Sequence, residues 1–301
     1  MVANRLSFTD LTNRAISKVL FDSYGEKPEQ YPEIYKIMSV DSGKDYKESE
    51  VSTLGVVPVK NEGEDIVYQD PTQLYDKTYT FATYASGYRV TEEMQEDDLQ
   101  GIMGKKMASQ LGRSLRYTIE QDAALLYNRA TNDTYAGGDG VGLCSAAHPI
   151  STGSTGRNEL ATAADLSVAS LRLAIQDMMA TADYKGKLAN IRPDILLVPP
   201  ELYWKANELL KSANSPEDAN NAINPLKGML KLVVNDYLTD DDAAMLIDSS
   251  IYDVKWIWRV KPTVGVSSAN DFDSGDLKYK LRARWARGWT GWRGVFLIQG
   301  A

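Results

Sequence analysis

The sequence predicts an α+β protein whose parts outgrow a single compact core. Three observations predict it. Residues 34 to 88 read as extended strands, and one unbroken helical stretch, Asp98 to Ala130, follows at once. Beyond a loop-rich stretch the chain alternates helix with strand, and residues 251 to 298 return to strands holding Trp256, Trp258, Trp285, Trp289 and Trp292. At about 1.5 Å per residue the helix runs roughly 50 Å. A lone two-stranded arm is marginal in water. A long arm and a long spine that need outside surfaces imply a subunit completed by its neighbours.

The elements follow in order. Residues 8 to 24 carry Phe8, Leu11, Ala15, Val19 and Leu20 at helical spacing, with Thr9 or Asp10 placed to cap and Gly25, Pro28 and Pro32 as stops. The segment reads as an amphipathic arm leaning on another surface, or as a helix packed on its own domain. KTYTFATYASGYRV alternates at period two, with Tyr79, Phe81, Thr83 and Ala85 on one side. Pro58, Gly63 and Pro71 place the tip of the extended segment between them. Arms of about 20 residues at 3.3 Å would reach on the order of 60 Å. The tip reads as poor in apolar residues, adding little to a core of its own.

Thr91 caps EEMQEDDL, whose acids suit the positive end of a helix. Leu99, Met103, Met107, Leu111, Leu115, Ile119 and Ala123 then recur every four residues. Each step drifts about 40°, so the stripe winds by about 240° and its ends face different partners. Gly101, Gly104 and Gly112 weaken this helix and mark close crossings. Residues 131 to 165 are loops rich in Gly, Ser, Thr and Asn. Leu166 to Ala182 is helical, DILLV (194 to 198) a buried strand, and ELYWKANELLKS a helix after Pro199 and Pro200; LKLVVNDYL and AAMLID are strands.

Composition narrows the function. The 301 residues carry 41 acids against 33 Lys and Arg, a net charge of −8, which argues against whole-surface binding of nucleic acid. The single cysteine, Cys144, excludes an intrachain disulfide and fits a reducing cytoplasm. MVANRLSFTD has no apolar signal region, and no apolar run approaches the roughly 18 residues of a membrane span.

Candidate chemistry is sparse. Cys144 and His148 in LCSAAHPI are the parts of a thiol hydrolase, but a zinc site needs three or four ligands and the chain has no other Cys or His. A structural loop role is the stronger interpretation. GGDGVG (137 to 142) lacks the preceding strand and following helix of a nucleotide fingerprint. Asp240, Asp241 and Asp242 read as a solvated turn. No catalytic, cofactor-binding or metal residue is assigned. In DLKYKLRARWARGWTGWRG, Lys278, Lys280, Arg282 and Arg284 alternate with Tyr279, Leu281, Ala283 and Trp285. The basic face meets either an acidic neighbour or a nucleic acid; the inward tryptophans disfavour stacking on bases.

The arm, the extended loop, the capped spine at RVTEEMQEDDL and the α/β region stand together with the segments LCSAAHP, RPDILLVPPELYWKANELL, KLVVNDYLTDD and KYKLRARWARGW. This order of parts resembles the major capsid proteins of tailed bacteriophages, the fold named after phage Hong Kong 97. The segments are similar to those of the Mu-like major head subunit group. The resemblance implies an N-terminal arm (1–33), an extended loop (34–88), a peripheral domain (89–159) with spine helix 98–130, an axial domain (160–262) and peripheral strands (263–301). It implies a structural protein, not an enzyme, that assembles as hexamers and pentamers into an icosahedral shell enclosing double-stranded DNA. An encapsulin-like compartment shell of the same fold is the alternative. The implied partners are other copies of the chain, a separate scaffold protein, a portal protein, a decoration protein and packaged DNA held by non-specific contact. Assembly is expected in the bacterial host cytoplasm, and residence in the virion, with no membrane. In this family the extended loop lies over a neighbour, so Lys60, Asn61, Glu62, Glu64 and Asp65 at the tip are expected to meet Lys278, Lys280, Arg282 and Arg284. Some members cross-link a loop lysine to a C-terminal asparagine. Lys60 and Asn270 are the nearest counterparts here, and the cross-link is not carried over.

Overall fold

The computed structural model describes residues 9–97, 102–151, 154–216, 222–266 and 275–300. In chain order the elements are α1 (Thr9–Tyr24), β1 (Lys36–Ser39), β2 (Asp45–Val51), β3 (Gln73–Thr80), β4 (Ala82–Val90), α2 (Glu92–Asp97) and α3 (Ile102–Tyr127). There follow β5 (His148–Ser151), β6 (Ser154–Gly156), α4 (Val168–Met179), β7 (Ile195–Val198), α5 (Tyr203–Lys211), β8 (Lys231–Val234), β9 (Ala244–Ile247), β10 (Val254–Val266), β11 (Leu277–Trp289) and β12 (Val295–Ile298). The chain divides into two units: one comprises the residues up to Asp45, Thr80–Ala123 and Trp256–Ala286, the other Tyr46–Tyr79, Ala124–Lys255 and the remainder from Arg287.

The first unit centres on a sheet of order β1-β10-β11-β4. β11 runs antiparallel to β4, from Leu277 opposite Val90 to Trp285 opposite Ala82. The expected alternation holds along β11: Tyr279, Leu281, Ala283 and Trp285 are buried. Trp285 stacks on Tyr84 at 3.8 Å and on Trp256 at 5.4 Å, and its Nε1–H donates to Asp122 on α3 at 2.7 Å. Tyr35 Oη donates to the Ala123 carbonyl at 2.7 Å. Trp285 and Tyr35, each with its polar tip satisfied, thus join sheet to spine.

Three expectations for this region need correction. The N-terminal helix does not lean elsewhere: Ile16 and Leu20 are buried in their own unit, beside α3. The crossing sits at Gly112, where an added Cβ would overlap the Leu20 carbonyl oxygen. Arg116 extends the contact, donating to the Tyr24 carbonyl at 3.0 Å and pairing with Glu29 at 2.8 Å, while the Glu120 carboxylate accepts from the Gln30 and Tyr31 N–H groups. The spine stripe changes its membership: Leu115, Ile119 and Ala123 are buried as expected, but Met107 and Leu111 are only half-buried, and Ala108, Gly112 and Tyr127 are buried in addition. Asp98, Leu99 and Gly101 lie outside the described residues. Finally, KTYTFATYASGYRV is two strands. The ladder breaks at Phe81 and the phase shifts, so Tyr84, Tyr88 and Val90 turn inward while Thr83 and Ala85 face out. The shift lets Tyr88 stack on Tyr279 at 4.9 Å.

The Thr91 cap is present, with the Met94 N–H donating to Thr91 Oγ1 at 3.3 Å.

The second unit holds a sheet of order β12-β9-β7-β8, with β7 parallel to β8 and antiparallel to β9. All four residues of β7 are buried, as an uninterrupted apolar run implies. Leu171 of α4 and Leu209 of α5 are fully buried in the same core as Leu196, Leu246 and Phe296. Ser167 and Ser170 close a reciprocal cap on α4. The 131–165 region is not all loop, because β5 and β6 pair within it.

Gly112→Ala should destabilise the dissociated subunit by about 1–3 kcal/mol, the range for forced overpacking. The atom it would displace is backbone, which cannot rotate away. An unchanged urea midpoint would contradict the crossing.

Candidate assembly interface

The extended loop begins as a two-stranded sheet, β2 with β3. Past it the arms continue side by side. The Ser52 N–H donates to the Thr72 carbonyl at 2.8 Å, the Gln69 side chain to the Val56 carbonyl at 3.1 Å, and the Glu64 N–H to the Asn61 carbonyl at 3.3 Å. Gly63, with φ +81°, makes the turn at the tip. Lys60, Asn61, Glu62, Glu64 and Asp65 share this turn and are exposed. Hydrogen bonds from the Asn61 side chain and backbone hold the Glu64 carboxyl below the usual range. Glu64 is therefore engaged within the tip.

The loop is not poor in apolar side chains, contrary to expectation. Val56, Val57, Val59, Ile66, Val67 and Tyr68 are between 63% and 88–89% exposed. The arm's need for an outside surface was legible in its length, but the valines read as ordinary strand formers and were not singled out as the residues left uncovered.

The loop root is tied within the second unit by Glu48, Glu50 and Thr53. Lys255, itself buried, pairs with Glu48, and with Asp253 at 2.8 Å. Arg293 pairs with Glu50 at 3.1 Å and donates to the Ala182 carbonyl at 3.1 Å. Burial raises the Glu50 carboxyl above its ordinary range, and Arg293 opposes the rise. Thr53 Oγ1 donates to Asp183 at 2.6 Å.

The basic residues share one strand face, as expected. Lys278, Lys280 and Arg282 are exposed, while Arg284 is half-buried and its Nε has no hydrogen-bond partner among the described residues. Register with β4 sets Arg89 opposite Lys278, and Gly87, Ala85 and Thr83 opposite the other three. Arg89, 71% exposed, extends the cationic row; its Nη1 lies 3.7 Å from Asp276. The sequence reading missed Arg89 because cross-strand register is not visible in local spacing. These three partners are small residues. The Lys280 stem lies against Gly265 of β10, where an added Cβ would sit 3.2 Å from Cε.

The residues with hydrolase chemistry are spent on packing. Cys144 is buried, which pushes its thiol well above the ordinary range. His148 is fully buried: Nδ1 meets Asp139 Oδ2 at 2.7 Å, Nε2 meets Asn158 Oδ1 at 3.1 Å, and the ring stacks on Trp292 at 4.4 Å. Asn158 donates to the Leu143 and Val295 carbonyls at 2.8 and 3.1 Å. Both imidazole nitrogens are engaged, so neither serves a thiol. In GGDGVG, Gly137 lets the Trp289 ring pack against the backbone and Gly140 turns at φ +86°. Asp240, Asp241 and Asp242 form an exposed acidic turn in which the protonated Asp242 carboxyl can donate a hydrogen bond to Asp240, which raises its pKa.

A family model described as phage capsid protein matches residues 75–298. No curated protein matches the sequence. Among solved structures, the chain is similar to the capsid of the cyanophage P-SCSP1u, with 11% identity over 91% of this chain and 89% of that one, at a TM-score of 0.61. It is also similar to the capsid of bacteriophage JBD30, with 14% identity over 71% and 92% and a TM-score of 0.58. A virus-like particle from Pyrococcus furiosus matches at 10% identity over 94% and 98%, with a TM-score of 0.54. At these identities the likeness is one of fold. The α+β, Hong Kong 97-like arrangement expected from the sequence is the fold observed.

Cys144 should resist iodoacetamide in the folded chain and react only after denaturation; fast labelling of folded protein by mass spectrometry would contradict its burial. His148→Ala should cost about 3–5 kcal/mol in urea unfolding, because it leaves the buried Asp139 carboxylate without its partner.

Proposed function

The chain belongs to the phage capsid protein family and is a structural subunit of a capsid shell, and on that premise we propose that hexamers and pentamers of it build an icosahedral shell enclosing double-stranded DNA. The observation that carries the reading is the extended loop, with six large apolar side chains exposed. An apolar patch of this kind marks an interaction surface. The loop of one copy lies over the basic sheet of the next, and its acidic tip faces Lys278, Lys280, Arg282 and Arg284.

The proposed division of labour is an N-terminal arm at 1–33, an extended loop at 34–88, peripheral parts at 89–159 and 263–301, and an axial domain at 160–262. The segments LCSAAHP and KYKLRARWARGW support placement near the Mu-like major head subunits. A separate scaffold, a portal and a decoration protein complete the proposed set of partners, with assembly in the host cytoplasm before residence in the virion. Cys144 and His148 are held in packing roles, which supports a purely structural subunit.

Negative-stain images of the purified protein test the proposal: closed shells or capsomers support it, and a folded monomer at every concentration and salt would sink it. Particles filled with a cargo enzyme in place of DNA would favour the compartment alternative. Deleting residues 55 to 70 should leave a folded chain that forms no particles, since the segment is exposed along its length.

Charge reversal tests the contact itself. Lys280→Glu with Arg282→Glu should weaken assembly, and Glu62→Lys with Asp65→Lys in the same chain should partly restore it. All four are exposed, whereas Arg284 is half-buried and Glu64 is engaged by Asn61. Each exposed pair is worth about 0–1 kcal/mol, up to roughly fivefold in a contact constant, and salt screens it. No rescue, with DNA retention falling on basic-face reversal alone, would assign the face to the genome.

A further inference from the structure

We infer that His148 carries a proton on both ring nitrogens, and that this buried imidazolium, paired with the Asp139 carboxylate, is a proton-operated clasp on the root of the extended loop. The inference is independent of the shell reading, because it follows from hydrogen-bond polarity within the second unit.

The polarity is set at Asn158, which is buried. Its side-chain N–H groups face only carbonyls, those of Leu143 at 2.8 Å, Val295 at 3.1 Å and Trp292 at 3.5 Å. Its Oδ1 accepts from the Ser145 N–H at 2.8 Å. Exchanging amide oxygen and nitrogen would set an oxygen against three carbonyls and N–H against N–H. Oδ1 therefore faces His148, and Nε2, at 3.1 Å, must donate to it. Nδ1 lies 2.7 Å from Asp139 Oδ2. A neutral imidazole has one N–H, and Asn158 takes it. A bare Nδ1 would then meet a carboxylate lone pair where the His148 side chain is fully buried and that of Asp139 is 5% exposed. One further proton turns this clash into a charge-assisted hydrogen bond. The proton belongs on the ring, because imidazole is the stronger base, at about 6.5 against about 3.9 for an ordinary aspartate.

Asp139 sits in the glycine loop 137–142, and that loop presses on β3. An added Cβ at Gly138 would lie 2.9 Å from the Asp76 carbonyl oxygen and 3.1 Å from Tyr75 Cβ. Lys77 Nζ donates to the Ala136 carbonyl at 2.7 Å. His148, at the start of β5, is held by its stack on Trp292. The ion pair thus joins the loop that backs β3 to a fixed ring. The charged and titratable neighbours are Lys77 and Tyr75 of β3 and Glu50 of β2, on all of which Asp139 acts electrostatically. Arg293, paired with Glu50, lies 4.8 Å from the Trp292 ring. Cys144 stays a thiol, since burial pushes it up.

Above the ordinary histidine range the folded chain holds one proton more than the unfolded chain. The clasp therefore contributes fully below about pH 6.5 and is lost as pH rises through the point where the folded ring releases its proton. Release leaves two acceptors face to face, and the clasp opens.

The chain has one histidine, so 15N-labelled histidine reports on a single ring. In the full chain at pH 7.5 both ring nitrogens are expected to resonate as N–H; an unprotonated nitrogen at either position would overturn the assignment. Asp139→Asn supplies a second measurement. Its amide can donate to a bare Nδ1, so a neutral ring then fits and one nitrogen should lose its N–H signature. In urea unfolding of the dissociated subunit from pH 7 to 8, the unfolding constant of the unaltered chain should rise several-fold more than that of Asp139→Asn, up to the limit of about tenfold for one proton. Equal slopes would sink the clasp. If Asp139→Asn does not fold, the spectrum and unfolding slope of the unaltered chain decide: a neutral ring, or a constant that does not rise with pH, overturns the inference.

Discussion

The structure depends on apolar surface that the chain cannot bury by itself. Fully covering a Val, Ile or similar side chain is worth about 1.5–3 kcal/mol each. Six such side chains stand exposed on the extended loop. Even half of that burial exceeds what a handful of exposed ion pairs supplies at about 0–1 kcal/mol each. Association itself costs about 4–15 kcal/mol in lost freedom. In the proposed contact the valines therefore supply most of the association energy, and the tip and sheet charges set where the loop lands.

Such a loop is useful only if its root is fixed, because a freely swinging arm would lose its gain to ordering entropy. The root is fixed by groups that are themselves well held. Glu48 binds both Lys255 and Thr290, and Thr290 shares a 2.6 Å hydrogen bond with Tyr79 at the end of β3. Gly288 leaves room for the Tyr79 ring, since an added Cβ would lie 2.9 Å from it. Glu50 and Thr53 add the ties to Arg293 and Asp183. The polar groups of the root are paired within one unit while the apolar groups of the stem are left for another molecule.

Much of this was legible in the sequence, for reasons that name its limits. Period two located the β11 faces because one face is buried and the other solvated, and DILLV announced a fully buried strand. Thr91 and Gly112 carried local signals, a cap and a gap in a helix, that tertiary contacts then used. The errors arose where a long-range contact decides. Nothing local tells α1 that its surface is α3 of the same chain, or tells the strand through Phe81 that it changes sheets. Arg89 joined the basic row through register with a strand nearly two hundred residues away. The loop valines were visible as residues, yet their exposure is a property of the folded chain, and the engagement of Glu64 by Asn61 is one of turn geometry.

The net charge of −8 bears on how the basic face works. Like-charged subunits repel, but at physiological salt the repulsion is screened beyond about 8 Å. Contacts between facing side chains act inside that distance and keep their sign. A row of Arg89, Lys278, Lys280 and Arg282 on one sheet is then a local inversion of charge in an acidic molecule. DNA phosphates would be drawn to the same row through counterion release. One cationic row cannot hold both occupants at once. A neighbour's acidic tip, delivered by a loop whose valines already bind, has the advantage of effective concentration. In the proposed contact the apolar stem thereby favours the neighbour's tip over DNA at the charged face.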